Sequence, residues 1–210
     1  MLKTKIAVLI SGGGTNLQAI IDFAKSGGLK SGELALVVSD KAGAYGLTRA
    51  EKASIPTLVI AADKSLEITA RKAKFEAELQ SALEAAGIEM IVLAGFMRIL
   101  SADFVSKWEN RIINVHPSLI PSFCGEGFYG LRVHEAALKK GVKVTGATVH
   151  FVNEIPDGGE IIMQKAVKVR DGDTPETLQK RVMRLAEWKI LPAAAEKISD
   201  EIVRKKAEEK

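Results

Sequence analysis

The sequence predicts a single α/β domain with a mostly parallel central sheet flanked by helices and with antiparallel strands in its C-terminal half. Three observations predict it. Short, nearly continuous apolar runs alternate with helix-like segments through the first half, the pattern of strands covered on both faces. A glycine-rich turn joins the first apolar run to the first helix. The second half carries two longer strand-like runs separated by a turn-rich segment, then one long helix.

In chain order, residues 5–11 (KIAVLIS) form the first strand, and residues 34–39, 57–61 and 90–94 repeat its Ile/Val/Leu signature. Between them, residues 15–26, 45–53 and 65–86 have helical spacing or composition. This β-α-β alternation implies right-handed crossovers. Residues 111–116 form a further strand stopped by Pro117, and residues 144–152 and 161–169 flank a turn at 153–160. Thr174 caps the last helix, with Pro175 at its first position and Glu176 in its first turn. That helix is expected to run to about Ser199, kinked at Pro192, leaving residues 200–210 as a frayed charged tail after a domain of residues 1–199.

Composition narrows the function. The 210 residues carry 30 basic and 26 acidic side chains and are 47% hydrophobic, which excludes a disordered chain, a collagen-like repeat or a coiled-coil rod. The lone cysteine, Cys124, forbids an internal disulfide and points to a reducing, cytoplasmic compartment. The longest apolar run, residues 90–97, is under half a membrane span, and the first residues lack signal-peptide shape. Basic residues are scattered and aromatics are 5%, so a small anionic substrate fits better than nucleic acid.

Two segments carry candidate chemistry. Ser11-Gly12-Gly13-Gly14-Thr15-Asn16 opens a helix, where free amides and close backbone approach suit a phosphate. A plain tight turn is the structural alternative. A dinucleotide site is another, weakened because Leu17 takes the third glycine position and Asp40 follows Gly12 by 28 residues. The second segment is Asn114-Val115-His116-Pro117-Ser118. Residues i and i+2 of a strand share a face, so Asn114 and His116 project together at a strand's carboxyl end and could hold a developing oxyanion. Hydrogen bonding within the turn before Pro117 is the bland alternative. Asp157, before Gly158-Gly159, reads as a turn former unless folding brings it to His116, where it would orient the ring and favour its charged form. His134 reads as opening or capping a helix, His150 as a structural strand residue and Cys124 as incidental. No cluster has metal-ligand spacing.

These motifs together resemble the folate-dependent formyltransferases, most closely the branch that formylates glycinamide ribonucleotide in purine synthesis. The matching residues are Val8-Leu9-Ile10-Ser11-Gly12-Gly13-Gly14-Thr15-Asn16-Leu17-Gln18-Ala19-Ile20, Leu93-Ala94-Gly95-Phe96-Met97-Arg98-Ile99-Leu100, residues 114–121, residues 146–152 and Asp157-Gly158-Gly159. They span nearly the whole chain in one order. The resemblance implies a Rossmann-like formyltransferase domain that uses 10-formyltetrahydrofolate as co-substrate without a metal, as monomer or homodimer. It implies a catalytic trio of Asn114, His116 and Asp157, and substrate phosphate on Gly14, Thr15 and Asn16. Glu187 would hold the ribose hydroxyls. Met97, Arg98, Ile99 and Leu100 would present their backbone to the folate, flanked by Leu93, Val152 and Asn114. A family arginine falls at Lys72, beside Arg71. Residues 122–130 form a longer loop than in shorter-looped members, and of a frequent His-x-His only His134 remains. The tRNA-modifying and hydrolase sisters are expected to need an extra C-terminal or N-terminal domain. A formyltetrahydrofolate hydrolase and a non-catalytic Rossmann-type nucleotide-binding protein stand as alternatives.

Overall fold

The computed structural model describes residues 2–208. Its elements are β1 (Thr4–Ile10), α1 (Thr15–Lys25), β2 (Gly32–Ser39), α2 (Tyr45–Lys52), β3 (Thr57–Val59), α3 (Ile68–Ala85), β4 (Met90–Leu93), α4 (Ala102–Ser106), β5 (Ile112–His116), α5 (Leu131–Lys140), β6 (Val144–Phe151), β7 (Ile161–Lys168), α6 (Pro175–Val182) and α7 (Trp188–Glu208), with a π-turn over Met183–Glu187. One seven-stranded sheet runs in the order β3-β2-β1-β4-β5-β6-β7. The first five strands pair in parallel, and β5–β6 and β6–β7 pair antiparallel. The mixed α/β sheet expected from the sequence is therefore the one observed.

The apolar runs are continuous because both sheet faces are covered, and side chains alternate between them. Ile6, Val8 and Ile10 join one core with Met90 and Val92, beneath α1 and α7. Ala7 and Leu9 join the other with Ile91 and Leu93, beneath α3. Each such Leu, Ile or Val contributes roughly 1.5–3 kcal/mol on burial. Within α3, Phe75, Leu79 and Leu83 are buried at four-residue spacing. No helix among the described residues is long and apolar enough to cross a membrane.

Parallel pairing sets the carboxyl ends of β1, β4 and β5 side by side, and chain order reverses between β1 and β4. Loops leaving that reversal frame a crevice, the usual ligand position of open α/β sheets. The glycine turn leaves β1 there. Gly14 caps α1 with φ 69°, and a Cβ on it would meet Gly46 Cα at 2.6 Å. Gly46 in turn donates its amide to the Gly12 carbonyl. Gly14→Ala therefore combines left-handed strain with a backbone clash, and should cost on the order of 2–3 kcal/mol in urea unfolding.

Two expectations need correction. Residues 200–208 are not frayed but continue α7, since Ser199 accepts from the Thr4 hydroxyl at 2.9 Å and Asp200 accepts from Ser31 at 3.3 Å. Lys206 also pairs with Glu89; Glu209 and Lys210 lie outside the described residues. The irregularity expected at Pro192 sits instead in the π-turn one turn earlier, while Pro192 lies inside α7. Proline withholds the hydrogen bond that the carbonyl four residues back would take, so the disturbance falls on the N-terminal side.

Candidate active site

Asn114 and His116 stand on one face of β5 at its carboxyl end. The antiparallel register sets Asn114 opposite His150 and His116 opposite Thr148. The β6–β7 turn carries Asp157, at φ 57°, back over this pair. Asp157 Oδ2 lies 3.3 Å from His116 Nδ1, and Oδ1 lies 3.5 Å from His150 Nε2. The three residues proposed from sequence converge, and the fold adds His150, whose Nε2 receives the Asn114 amide at 3.3 Å. Strand alternation offered no sign of this; only the β5–β6 register reveals it.

The long loop of residues 122–130 closes over the cluster. His116 Nε2 donates to the Phe123 carbonyl at 2.8 Å, and the Gly125 amide donates to Asp157 Oδ2 at 2.8 Å. Both His116 nitrogens thus face acceptors, a setting that only an imidazolium satisfies fully. Burial opposes that charge. The ring is 4% exposed, and its pKa is lowered by desolvation despite the opposing pull of Asp157 and the Phe123 carbonyl. The expected pull of Asp157 toward the charged ring is present, and burial outweighs it. Burial also works to raise Asp157, but His150, the Gly125 amide and His116 together hold it below the usual carboxylate range. His134 is fully buried in the first turns of α5, beyond the cap at Gly130, so it neither opens nor caps the helix. Neither ring nitrogen has a partner, and burial, with His116 nearby, depresses it to about 4.

Beside the trio, a cavity of about 830 Å³ reaches from Asn16 and Glu187 to residues 95–100. Leu93, Met97, Arg98, Ile99, Leu100, Asn114, His116, Val152 and Asp157 all line it. Residues 96–100 are neither helix nor strand, which leaves most of their backbone polar groups outside any ladder. The Met97 amide donates to Ser11 Oγ at 2.9 Å, tying this segment to the glycine turn. Arg98 turns its side chain away, with Nε donating to Asp40 at 3.0 Å and the guanidinium over the Phe75 ring. Asp40, buried in that ion pair, is thereby taken from the dinucleotide alternative.

At the other end, Asn16 donates its amide to Glu187 Oε2 at 2.8 Å, across nearly the whole chain length. Asn16 Oδ1 is buried without a partner. The Asn16 side chain is therefore committed to Glu187, and what the turn offers an anion is the amides at the start of α1. Gly14 and Thr15 do not line the main cavity, and Thr15 opens onto a second one with Arg49. Arg49, unremarked in the sequence, donates to the Gly13 carbonyl at 2.8 Å and sets a cation beside the turn. Lys72 does not line the cavity. Arg71 is spent on the carbonyls of Asp63, Lys64 and Leu66, so neither residue of that pair reaches the site.

Glu187, 6% exposed, is raised by burial to about 7, with the Asn16 amide pulling the other way. A carboxyl favoured neutral in the fold contributes stability below its ordinary 4.5 that is lost as pH rises through 7. Glu187→Gln should escape that loss, gaining on wild type by on the order of 3 kcal/mol between pH 5 and 9. Urea unfolding of both across that range checks it, and parallel curves would contradict it.

A family model described as formyl transferase matches residues 4–195. The chain is 47% identical over 94% of its length to the human trifunctional purine biosynthetic protein adenosine-3, and spans 18% of that protein. It is 40% identical to the phosphoribosylglycinamide formyltransferase of Haemophilus influenzae, covering 90% of this chain and 84% of that one. Among solved structures, glycinamide ribonucleotide transformylase 1 from Symbiobacterium toebii superposes with a TM-score of 0.84 at 42% identity, covering 95% of this chain and 89% of that one.

Proposed function

We propose, since this chain belongs to the formyl transferase family, that it transfers the formyl group of 10-formyltetrahydrofolate to the primary amine of N1-(5-phospho-D-ribosyl)glycinamide in purine biosynthesis. The observation that carries this is the meeting of Asn114, His116 and Asp157 in one cavity. Asn16 and Glu187 line the same cavity, as do residues 97–100. The 5′-phosphate sits on the amides of Gly14, Thr15 and Asn16, favoured by the helix terminus and by Arg49. Glu187, held by Asn16, takes the ribose hydroxyls. The folate lies along Leu93, Met97, Arg98, Ile99, Leu100 and Val152. The reading further implies a cytoplasmic enzyme, monomer or homodimer, that works without a metal.

In the reaction, the amine lone pair attacks the formyl carbon. A C–N bond forms and the carbonyl π pair moves onto oxygen. Collapse restores the C=O bond and breaks the bond to the folate nitrogen, which receives the proton lost by the amine. His116 Nε2–H and an Asn114 N–H stabilise the oxyanion. His116 Nε2 serves the substrate once that oxygen replaces the Phe123 carbonyl, which shows where an acceptor sits against the ring. Asp157, held ionised, orients the His116 ring and takes up the amine proton, through water, for delivery to the leaving nitrogen.

A spectrophotometric assay of tetrahydrofolate release, with and without glycinamide ribonucleotide, tests the proposal. Release that depends on the acceptor is expected. Acceptor-independent release would make the protein a hydrolase, and absence of release with tight NAD binding would make it a nucleotide-binding protein of another kind.

A further inference from the structure

His150 forms no part of the trio, yet it is the residue against which the Asn114 amide rests. It is 2% exposed on β6, directly across the ladder from Asn114. Its Nδ1 lies 2.7 Å from the Phe151 carbonyl oxygen, which can only accept, so Nδ1 carries the hydrogen. In the neutral ring that leaves Nε2 with a lone pair and nothing to donate. An acceptor at 3.3 Å selects the NH₂ end of the Asn114 amide and rejects its carbonyl end.

We propose that His150 is a positioning residue for Asn114. A backbone carbonyl fixes the imidazole tautomer, the tautomer fixes which way the amide faces, and the amide's second N–H is thereby kept for the oxyanion. This rests on the oxyanion role of Asn114 given above. Without the Nε2 lone pair the amide can turn over and present its oxygen to a developing negative charge, an arrangement that repels instead of stabilising. Asp157 Oδ1 lies 3.5 Å from the same nitrogen, farther than the Asn114 amide, which leaves the amide as the nearer partner of Nε2. The relay thus works through the Nδ1–H tautomer, whose Nε2 lone pair faces the Asn114 amide.

The test is a double-mutant cycle with steady-state kinetics in both substrates. His150→Phe keeps a planar ring and removes both nitrogens. It should lower kcat about 10- to 100-fold with both KM values within about threefold. His150→Gln can restore an acceptor at the Nε2 position and should recover most of that loss. Asn114→Ala should cost about 100- to 1,000-fold in kcat, and adding His150→Phe to it should cost nothing more. If His150→Phe lowers kcat by the same factor with or without Asn114, or not at all, the relay is overturned while the Asn114 role stands. A harmless Asn114→Ala would remove the oxyanion reading itself, and the relay with it. Should His150→Phe fail to fold, ¹⁵N NMR of the wild-type imidazole decides. The neutral Nδ1–H tautomer at assay pH is expected, and the Nε2–H tautomer or the imidazolium overturns the proposal.

Discussion

Replacing His116 with alanine should lower turnover by about 1,000-fold or more, while the dissociation constant of glycinamide ribonucleotide stays within about threefold. The ring is asked for a hydrogen bond to a charge that exists only in the transition state, so its loss falls on kcat and not on ground-state binding. It lies in the cavity with the proposed trio, whereas Gly14 and Thr15, two of the residues proposed to hold the phosphate, do not line that cavity. The substitution also frees the Phe123 carbonyl and one side of Asp157, so calorimetric nucleotide binding is the necessary control. A variant that binds normally and turns over like wild type would remove His116 from the chemistry.

Asp157→Asn should lower kcat by about 100- to 10,000-fold and move to lower pH the limb of the kcat–pH profile on which activity falls with rising pH. The sign follows from the site. Asp157 is the main influence holding the His116 pKa up against burial, so taking away its charge lets that pKa fall further. The oxyanion donor is the ring protonated on both nitrogens, so activity falls as pH rises through the His116 pKa, and that limb must then appear at lower pH. The asparagine oxygen can still accept from the Gly125 amide, so the loop keeps its anchor and the change isolates charge. Profiles that superimpose after scaling would refute the coupling.

The elements were legible where a local rule applied. The Thr174 cap with Pro175 at the first helical position is present as expected, and Thr177 completes a reciprocal cap. The strands were found within two residues at each end because an apolar run covered on both faces needs no partner to be recognised. Helix α4, with five residues, was too short to show a period, and the cap bond from Phe104 to Ser101 was its available signal. Helix α5 was glimpsed only as a helix start at His134, which proved to lie inside it. Of the site, the pairing of Asn114 with His116 follows from strand geometry alone. The phosphate reading of the glycine turn follows from its residues; the roles of Glu187 and residues 97–100 came through resemblance, and Lys72 shows its reach: the position carried over, but its side chain does not line the cavity.

By itself the sequence determined the seven strands and most of the helices, that a glycine turn opens α1, and that an amide and an imidazole share one strand end. These are properties of neighbours within a few residues, set by backbone period and capping. Tertiary structure alone decided that Asp157 and His150 meet that pair, that Asn16 reaches Glu187, and that a loop carbonyl occupies His116. It also decided the direction of the His116 pKa, because desolvation depends on everything packed around the ring, and no stretch of sequence contains that sum.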